Sequence, residues 1–343
     1  MRNRTFAQPW MPAAAVLAAI LAVTLLIPGI LVKRMGTDAV RSPEPSGAEA
    51  AQQAKTLLIP VYLTREQKVE QVPLETYVRN VVAAEMPAQF ELEALKAQAI
   101  ASRTYIVKRW MEGDSSQVPV EGALVTDTVA HQAYVTEEQM KRNWGDAEYA
   151  ARLDKLNRAV NETAGVVATY GHKPIQASFF STSNGYTENA EDYWRDFVPY
   201  LRSVPSPWDK QLSPKYTAKA TFTLQQFASR LGIASASALT KNGAIQVQAT
   251  TEGHRIKTIS IAGKTFTGRE VREKLELNSS QFTWKISGST IELTTYGYGH
   301  GVGMSQWGAN GMAKEGKSAA DIIKYYYQGV SLEDVSAIVK PKV

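Results

Sequence analysis

The 343-residue chain is 44% hydrophobic, enough apolar residues for one large or two modest cores, which excludes a disordered tail. Its formal charge of +5 is concentrated in Arg2, Arg4, Lys33 and Arg34, ahead of the first acid, Asp38; about +1 is left for the rest, which excludes a body built to bind nucleic acid. No cysteine occurs, so disulfides and thiolate metal sites are excluded too.

Residues 1–11 precede an uncharged, mostly apolar run, Pro12 to Val32, flanked by those cations. About 20 such residues span a bilayer as a helix, and the run continues past the alanine-rich Ala13–Ala22 through Leu25, Leu26, Leu31 and Val32, longer than the apolar core of a cleaved signal. A membrane anchor over 12–32 is expected. Cations at both ends leave its orientation unspecified. Residues 33–55, rich in Ser, Pro, Glu, Gln and Ala without periodicity, read as a flexible linker.

Thr56 to Leu63 reads as a strand. Two helical patterns then span Val72 to Trp110, joined at Met86-Pro87. In the first, Leu74, Tyr77, Val78, Val81 and Val82 recur at the three-and-four spacing of a buried stripe. At roughly 100° per residue Glu85 falls within about 20° of Val78, so a single acid continues that stripe. Loss of hydration raises a carboxylate's pKa toward the range of a general acid; the competing reading is a buried structural ion pair. The second helix, Glu91 to about Trp110, carries Leu92, Leu95, Ala99, Ile106 and Trp110 on one face, with Arg103 inside the stripe and Lys96 on its shoulder. These cations either clamp a polar substrate or neutralise Glu85. A tight Arg pair would lower the pKa of Glu85 and argue against an acid role.

Beyond Trp110, Gly113–Gly122 reads as a loop, Ala123–Val135 as irregular extended structure with a structural His131, and Asp146–Thr163 as a helix stopped by Gly165. Val166–Tyr170 and Ile175–Phe180 read as strands about a turn at Gly171–Pro174, followed by a polar turn, Ser181–Glu188. Pro205–Trp208 opens an inserted region, Asp209 to about Lys285. It holds helices at Leu224–Leu231 and around Gly268–Leu275, strands at Ala244–Thr250 and Ile256–Ile261, and no convergent chemical groups. Ile291–Tyr296 reads as a strand leading into Gly297, Gly299, Gly301 and Gly303, where alternating glycine permits close backbone approach. The spacing matches neither a dinucleotide fingerprint nor a phosphate loop, and no nucleophile elbow surrounds Ser305. Ser318–Asp321 is a capping-box-like start to a last helix through Tyr327, whose three tyrosines are expected in the core. The fold class expected is α+β: a mixed catalytic domain over 56–333, with the inserted subdomain at 209–285 and a tail at 334–343, after one transmembrane helix.

Two blocks carry a resemblance. Val72-Pro-Leu-Glu-Thr-Tyr-Val78, Val81-Val-Ala-Ala-Glu-Met-Pro-Ala88 and Glu93-Ala-Leu-Lys-Ala-Gln-Ala-Ile-Ala-Ser-Arg-Thr-Tyr105 resemble the sporulation-protein-D family, whose relatives include the amidase enhancers. Tyr298-Gly-His-Gly-Val-Gly-Met-Ser-Gln-Trp-Gly-Ala-Asn-Gly-Met-Ala313 resembles the same family's C-terminal signature. The resemblance spans residues 57–333. It implies a lytic transglycosylase acting on peptidoglycan glycan stripped of stem peptides, during engulfment in endospore formation, with Glu85 catalytic. Lys96, Gln98, Arg103 and Tyr105 would position the glycan, and His300, Ser305 and Gln306 would form the opposite wall of the cleft. One acid suffices if it protonates the glycosidic oxygen while the sugar's own 6-hydroxyl attacks the anomeric carbon. The resemblance further implies a cytoplasmic N-terminus, a body exported into the space between mother-cell and forespore membranes, and a cell-wall amidase and membrane proteins of the engulfment machinery as partners. Some relatives hold zinc near the Ser181–Glu188 turn; Phe180, Ser183 and Tyr186 stand at those places here, so neither zinc nor any other cofactor is expected. The rival expectation is a non-catalytic enhancer that binds peptidoglycan or the amidase and stimulates it.

Overall fold

The computed structural model describes residues 57–339; the expected anchor at 12–32 and the linker at 33–55 lie outside the described residues. Among the described residues no helix is long and apolar enough to cross a membrane.

Strand β1 (Leu58–Leu63) turns Ile59, Val61 and Leu63 inward, as its alternation dictates. It forms an antiparallel hairpin with β2 (Lys68–Pro73), a strand the sequence reading did not anticipate, because Lys68, Glu70 and Gln71 hide its pattern. At Pro73 the hairpin passes directly into α1 (Leu74–Glu85). The stripe Leu74, Tyr77, Val78, Val81 and Val82 is fully buried, each side chain stabilising by about 1.5–3 kcal/mol. The chain turns extended at Met86 ahead of Pro87, and α2 (Leu92–Glu112) follows, closed by Gly113 at φ 62°. Strand β3 (Val125–Thr126) adds in parallel to β1.

Helix α3 (Glu137–Asn161) begins well before the expected Asp146. Thr136 and Gln139 form a reciprocal capping box that starts it early, and Gly145, at φ 71° and ψ 161°, breaks it midway, which hides the first part from a periodicity count. Strand β4 (Val166–Tyr170) pairs with β5 (Lys173–Pro174), and β6 (Phe179–Phe180) follows. Of the expected strand Ile175–Phe180 only Phe179–Phe180 is laddered, while β5 falls in the segment expected as the Gly171–Pro174 turn. Two short helices come next, α4 (Ala190–Trp194) and α5 (Asp209–Leu212).

A second hydrophobic cluster is built from β7 (Thr217–Thr223), α6 (Leu224–Leu231), β8 (Ile245–Thr250), β9 (Ile256–Ile261), β10 (Lys264–Thr267), α7 (Gly268–Leu275), β11 (Phe282–Ser287) and β12 (Thr290–Tyr296). It runs past Lys285, where the insertion was expected to end. The cause is strand pairing: β7 lies along the whole of β12, from Thr223↔Thr290 to Thr217↔Tyr296, so the strands that enter and leave this region close it together. The glycine-rich segment then leads to β13 (Met304–Ser305), parallel to β6, and to α8 (Gln306–Lys314), α9 (Ala319–Tyr326), β14 (Ser331–Asp334) and α10 (Val335–Ile338). Strand β14 returns to pair with β4, and the main core gathers the first hairpin, α1, α2, α8 and α9 into one cluster. The arrangement is α+β as expected, mixed helices and several small sheets around two cores among the described residues.

Candidate active site

Glu85 is the last residue of α1, half-buried where the helix gives way to the Met86–Glu91 elbow. Each of its oxygens accepts one hydrogen bond from a neutral amide: the Ala133 backbone N–H donates to Oε1 at 2.9 Å and Gln306 Nε2 to Oε2 at 3.2 Å. Among the described residues no cation forms an ion pair with it. Burial holds the Glu85 carboxyl above the usual range, against the opposing pull of the two hydrogen bonds. A carboxyl so placed keeps its proton to higher pH than a surface glutamate and can give it up to a bound oxygen.

Ala133 reaches Glu85 because the irregular segment around it is fastened to α1 on both sides. Tyr77 donates its hydroxyl to Gln132 at 3.2 Å, Asn80 Nδ2 donates to the Tyr134 hydroxyl at 3.0 Å, and the Tyr77 and Tyr134 rings stack at 5.7 Å. Gln306 arrives from the other end of the chain, at the first position of α8. That helix is seated on the elbow: Glu91 N–H donates to Asn310 Oδ1 at 2.8 Å, and Trp307 meets Phe90 edge-on at 4.7 Å. Glycine permits the packing on its far side, since a Cβ at Gly308 would lie 2.1 Å from the Tyr326 hydroxyl and one at Gly311 would lie 2.2 Å from Trp208 Cβ.

Ser305 is turned into the interior. Fully buried, it caps α8 by accepting from Gly308 N–H at 3.2 Å and donates to Asp209 Oδ1 at 2.5 Å. Asp209, itself fully buried, also accepts from Ser183 N–H at 2.7 Å and Ser206 Oγ at 2.6 Å, and burial raises its pKa against those bonds. The buried aspartate fixes the cap, and the cap fixes the helix that delivers Gln306. His300 is enclosed by the rings of Phe180, Tyr193 and Trp194 at 5.4–5.6 Å, and its Nδ1 accepts from Val302 N–H at 3.1 Å. Burial, then the charges of Arg272 and Arg255, push its pKa down to about 3, so it is neutral and shows no contact with Glu85.

The residues of α2 lie elsewhere again. Arg103 does not pair with Glu85. It is fully buried against Glu75 at the opposite end of α1, with Nη2 at 2.6 Å and Nε at 3.0 Å from the carboxylate oxygens, and Nη1 donating to Val166 O at 3.1 Å. Ten residues of helix, about 15 Å, separate Glu75 from Glu85. Lys96 is held by Glu93 at 2.7 Å and by Glu162. Gln98 is fully buried and donates to Ser102 Oγ at 3.1 Å. Tyr105 is half-buried against the main core, and burial raises its pKa. Arg103 and Lys96, expected either to clamp a polar substrate or to neutralise Glu85, are thus each held by carboxylates other than Glu85. At the polar turn, Ser183 Oγ donates to Ser206 O at 3.1 Å and Tyr186 packs edge-on to His254 at 4.4 Å. Among the described residues no three His, Asp or Glu side chains converge as metal ligands.

Three features were invisible in the sequence. The Ala133 amide is a backbone group and leaves no residue signature. Asp209 looked like the start of an insertion, with nothing local to link it to Ser305. Glu188 and Arg255 are both buried and meet across the two cores.

Residues 62–170 match the family described as Stage II sporulation protein. The chain is similar to Stage II sporulation protein D of Bacillus amyloliquefaciens, 48% identical over 339 residues that cover 95% of this chain and 97% of that protein. Stage II sporulation protein D of Bacillus subtilis (strain 168) is also 48% identical, over 94% of this chain and 96% of that one. An amidase enhancer of Bacillus subtilis (strain 168) is 30% identical over 74% of this chain and 40% of its own length.

Proposed function

This chain belongs to the Stage II sporulation protein D family, and from that premise we propose that it is a lytic transglycosylase of peptidoglycan glycan strands with Glu85 as its acid and base. The observation that carries the reading is the Glu85 carboxyl: half-buried, held by two neutral amides, without a cation partner among the described residues, and raised in pKa. In the proposed reaction the carboxyl gives its proton to the glycosidic oxygen as the bond from that oxygen to the anomeric carbon breaks. The 6-hydroxyl oxygen of the same sugar forms the new bond to the anomeric carbon, and its proton passes to the carboxylate, which ends as it began. No water is consumed, and the product carries an internal anhydro ring.

Gln306 and the Ala133 amide keep the carboxylate aimed through both half-steps, since each can donate to it in its charged form. Glycan without stem peptides is the proposed substrate, which makes a cell-wall amidase the natural supplier and the proposed partner. The apolar run at 12–32 would anchor the chain with its body exported. The name of the amidase-enhancer relative supports a second reading, in which the same body binds glycan or an amidase without cleaving anything.

The test is Glu85→Gln, which keeps size and hydrogen bonding but removes the titratable proton. Full-length protein and peptide-free glycan are incubated, and products are read by mass spectrometry. Wild type is expected to release fragments one water lighter than a reducing end, and the variant to bind glycan while cleaving about 10²–10⁴-fold more slowly. Oxygen incorporated from labelled water would point to hydrolysis. Glycan bound but never cleaved, with an added amidase stimulated equally by wild type and variant, would establish the enhancer reading.

A further inference from the structure

With Arg103 and Lys96 held by other carboxylates, a different cation stands next to the acid. Lys155, on α3, is half-buried and reaches across to the Met86–Glu91 elbow, where Nζ donates to Phe90 O at 2.5 Å and, more weakly, to Gln89 O at 3.4 Å. An ammonium has three donors, so two carbonyls leave one open. Among the described residues no carboxylate forms an ion pair with Lys155, whereas the cations around it are paired. Arg152 is held by Glu148 and Arg158 by Glu162 along α3, and Lys314 by Glu91 at 3.2 Å across the elbow. Burial pulls the Lys155 pKa down, and the charge of Lys314 adds to that against the opposing pull of Glu91, as befits an ammonium short of counter-charge. Glu91 is thus shared between two ammoniums, and the elbow keeps a net positive charge.

The elbow also brings that charge close to Glu85. Met86 runs extended from the end of α1, and Phe90 N–H donates to Pro87 O at 3.0 Å to close a turn. Two residues and one turn put the Glu85 and Phe90 Cα atoms within about 14 Å of each other. Trp307, beside the Gln306 that donates to Glu85, meets Phe90 edge-on, so one turn of α8 touches both the acid and the residue that Lys155 holds. Lys155 therefore stands within reach of a sugar ring and its side arm from Glu85.

Peptidoglycan glycan offers one anion at that position. Its muramic acid residues carry a lactyl side arm whose carboxyl is a neutral amide while a stem peptide is attached and a carboxylate once the peptide has been removed. An ammonium with an open donor makes a charge-assisted hydrogen bond to the carboxylate and a weaker one to the amide. We propose that Lys155 is a specificity-determining residue of the Glu85 cleft, taking the lactyl carboxylate of a stripped muramic acid next to the bond to be cleaved. The proposal rests on reading the cleft as a glycan site and not on what Glu85 does there. Preference for stripped glycan then follows from a charge that the stem peptide conceals.

The experiment titrates full-length Glu85→Gln protein in detergent, by isothermal calorimetry, with a peptide-free glycan tetrasaccharide and with the same tetrasaccharide after its lactyl carboxylates are converted to primary amides. The acid is expected to bind at least about tenfold more tightly than the amide, the worth of one hydrogen bond to a charged group. Adding Lys155→Gln is expected to bring the acid to within about twofold of the amide while leaving the amide's own affinity in place. Lys155→Met, which keeps the apolar stem, is the second variant if the first fails to fold, with the same result expected. Equal binding of the two probes with Lys155 present, an undiminished preference in either folded variant, or no binding of either probe up to roughly 10 mM would each overturn the proposal. Protein with Glu85 intact is read separately by mass spectrometry: an acid-over-amide preference without anhydro products would sink the lytic reading and leave the role of Lys155 standing.

Discussion

The ion pair between Arg103 and Glu75 decides whether a prominent arginine of the first signature serves the substrate or the fold. Arg103 is 0% exposed and Glu75 is 24% exposed, so removing one partner should cost different amounts on the two sides. Glu75→Met leaves a buried guanidinium with only backbone carbonyls, Val166 O at 3.1 Å and Ala99 O and Val160 O at 3.5 Å, and should destabilise by about 3–5 kcal/mol. Arg103→Met leaves a carboxylate that still reaches solvent and the Gly165 N–H at 3.2 Å, so its cost should be smaller, about 2–3 kcal/mol. Combining the two should cost clearly less than their sum, because neither charge is left alone. Urea unfolding followed by circular dichroism measures all three, and at roughly 2 °C per kcal/mol for a body of this size Arg103→Met should lower Tm by about 5 °C. Glycan affinity of the folded variants should stay within about twofold of wild type, since the pair lies about 15 Å along α1 from Glu85. Arg103→Met with full stability and lost glycan binding would refute the argument and return Arg103 to the cleft.

Gln306 favours the charged form of Glu85, so Gln306→Leu should raise that pKa further; cleavage, which needs the proton, should then persist to higher pH, and a pH–rate profile shifted downward would contradict this. Burial pushes Glu188 up to about 7, so from about pH 4.5 to about 7 the folded state keeps a proton the unfolded chain has released, and stability should fall with rising pH by on the order of 3 kcal/mol; Glu188→Gln should flatten that slope in unfolding experiments across the window. Gly303 has φ 81° and a Cβ there would lie 2.0 Å from Ser178 O, so Gly303→Ala should cost on the order of 3 kcal/mol or abolish folding. Gly316→Ala, at the same φ of 81° with nothing within 4 Å, should cost only about 1 kcal/mol, and equal losses in a thermal melt would show that space is not the deciding factor.

What the sequence determined by itself is local. The stripe from Leu74 to Val82 specifies α1, Pro87 specifies where it stops, and together they put an acid at the end of an apolar face. The helix Leu224–Leu231, and one around Gly268–Leu275, were legible in the sequence, where each follows a threonine that caps it and carries a strong apolar face. Ser318–Asp321 announced α9 in the same way. The Glu137–Gly145 portion of α3 was not legible, since a glycine at φ 71° interrupts the period.

Everything that joins distant parts of the chain was decided by the tertiary structure. Arg103 shares a helix face with groups that could meet either end of α1, and helical periodicity fixes the angle around an axis but not which partner lies along it. The packing of α2 on α1 places it at Glu75. Ser305 carries the same hydroxyl whether it caps a helix or lines a cleft; Asp209, 96 residues away, turns it inward. Gln306 reaches Glu85 across 221 residues only because Gly308 and Gly311 let α8 lie close on its neighbours and Asn310 ties it to Glu91. A sequence states which residues can donate, accept or be buried, and the choice among their possible partners is made when the two ends of the chain are packed together, where burial cost falls on every polar group left unpaired.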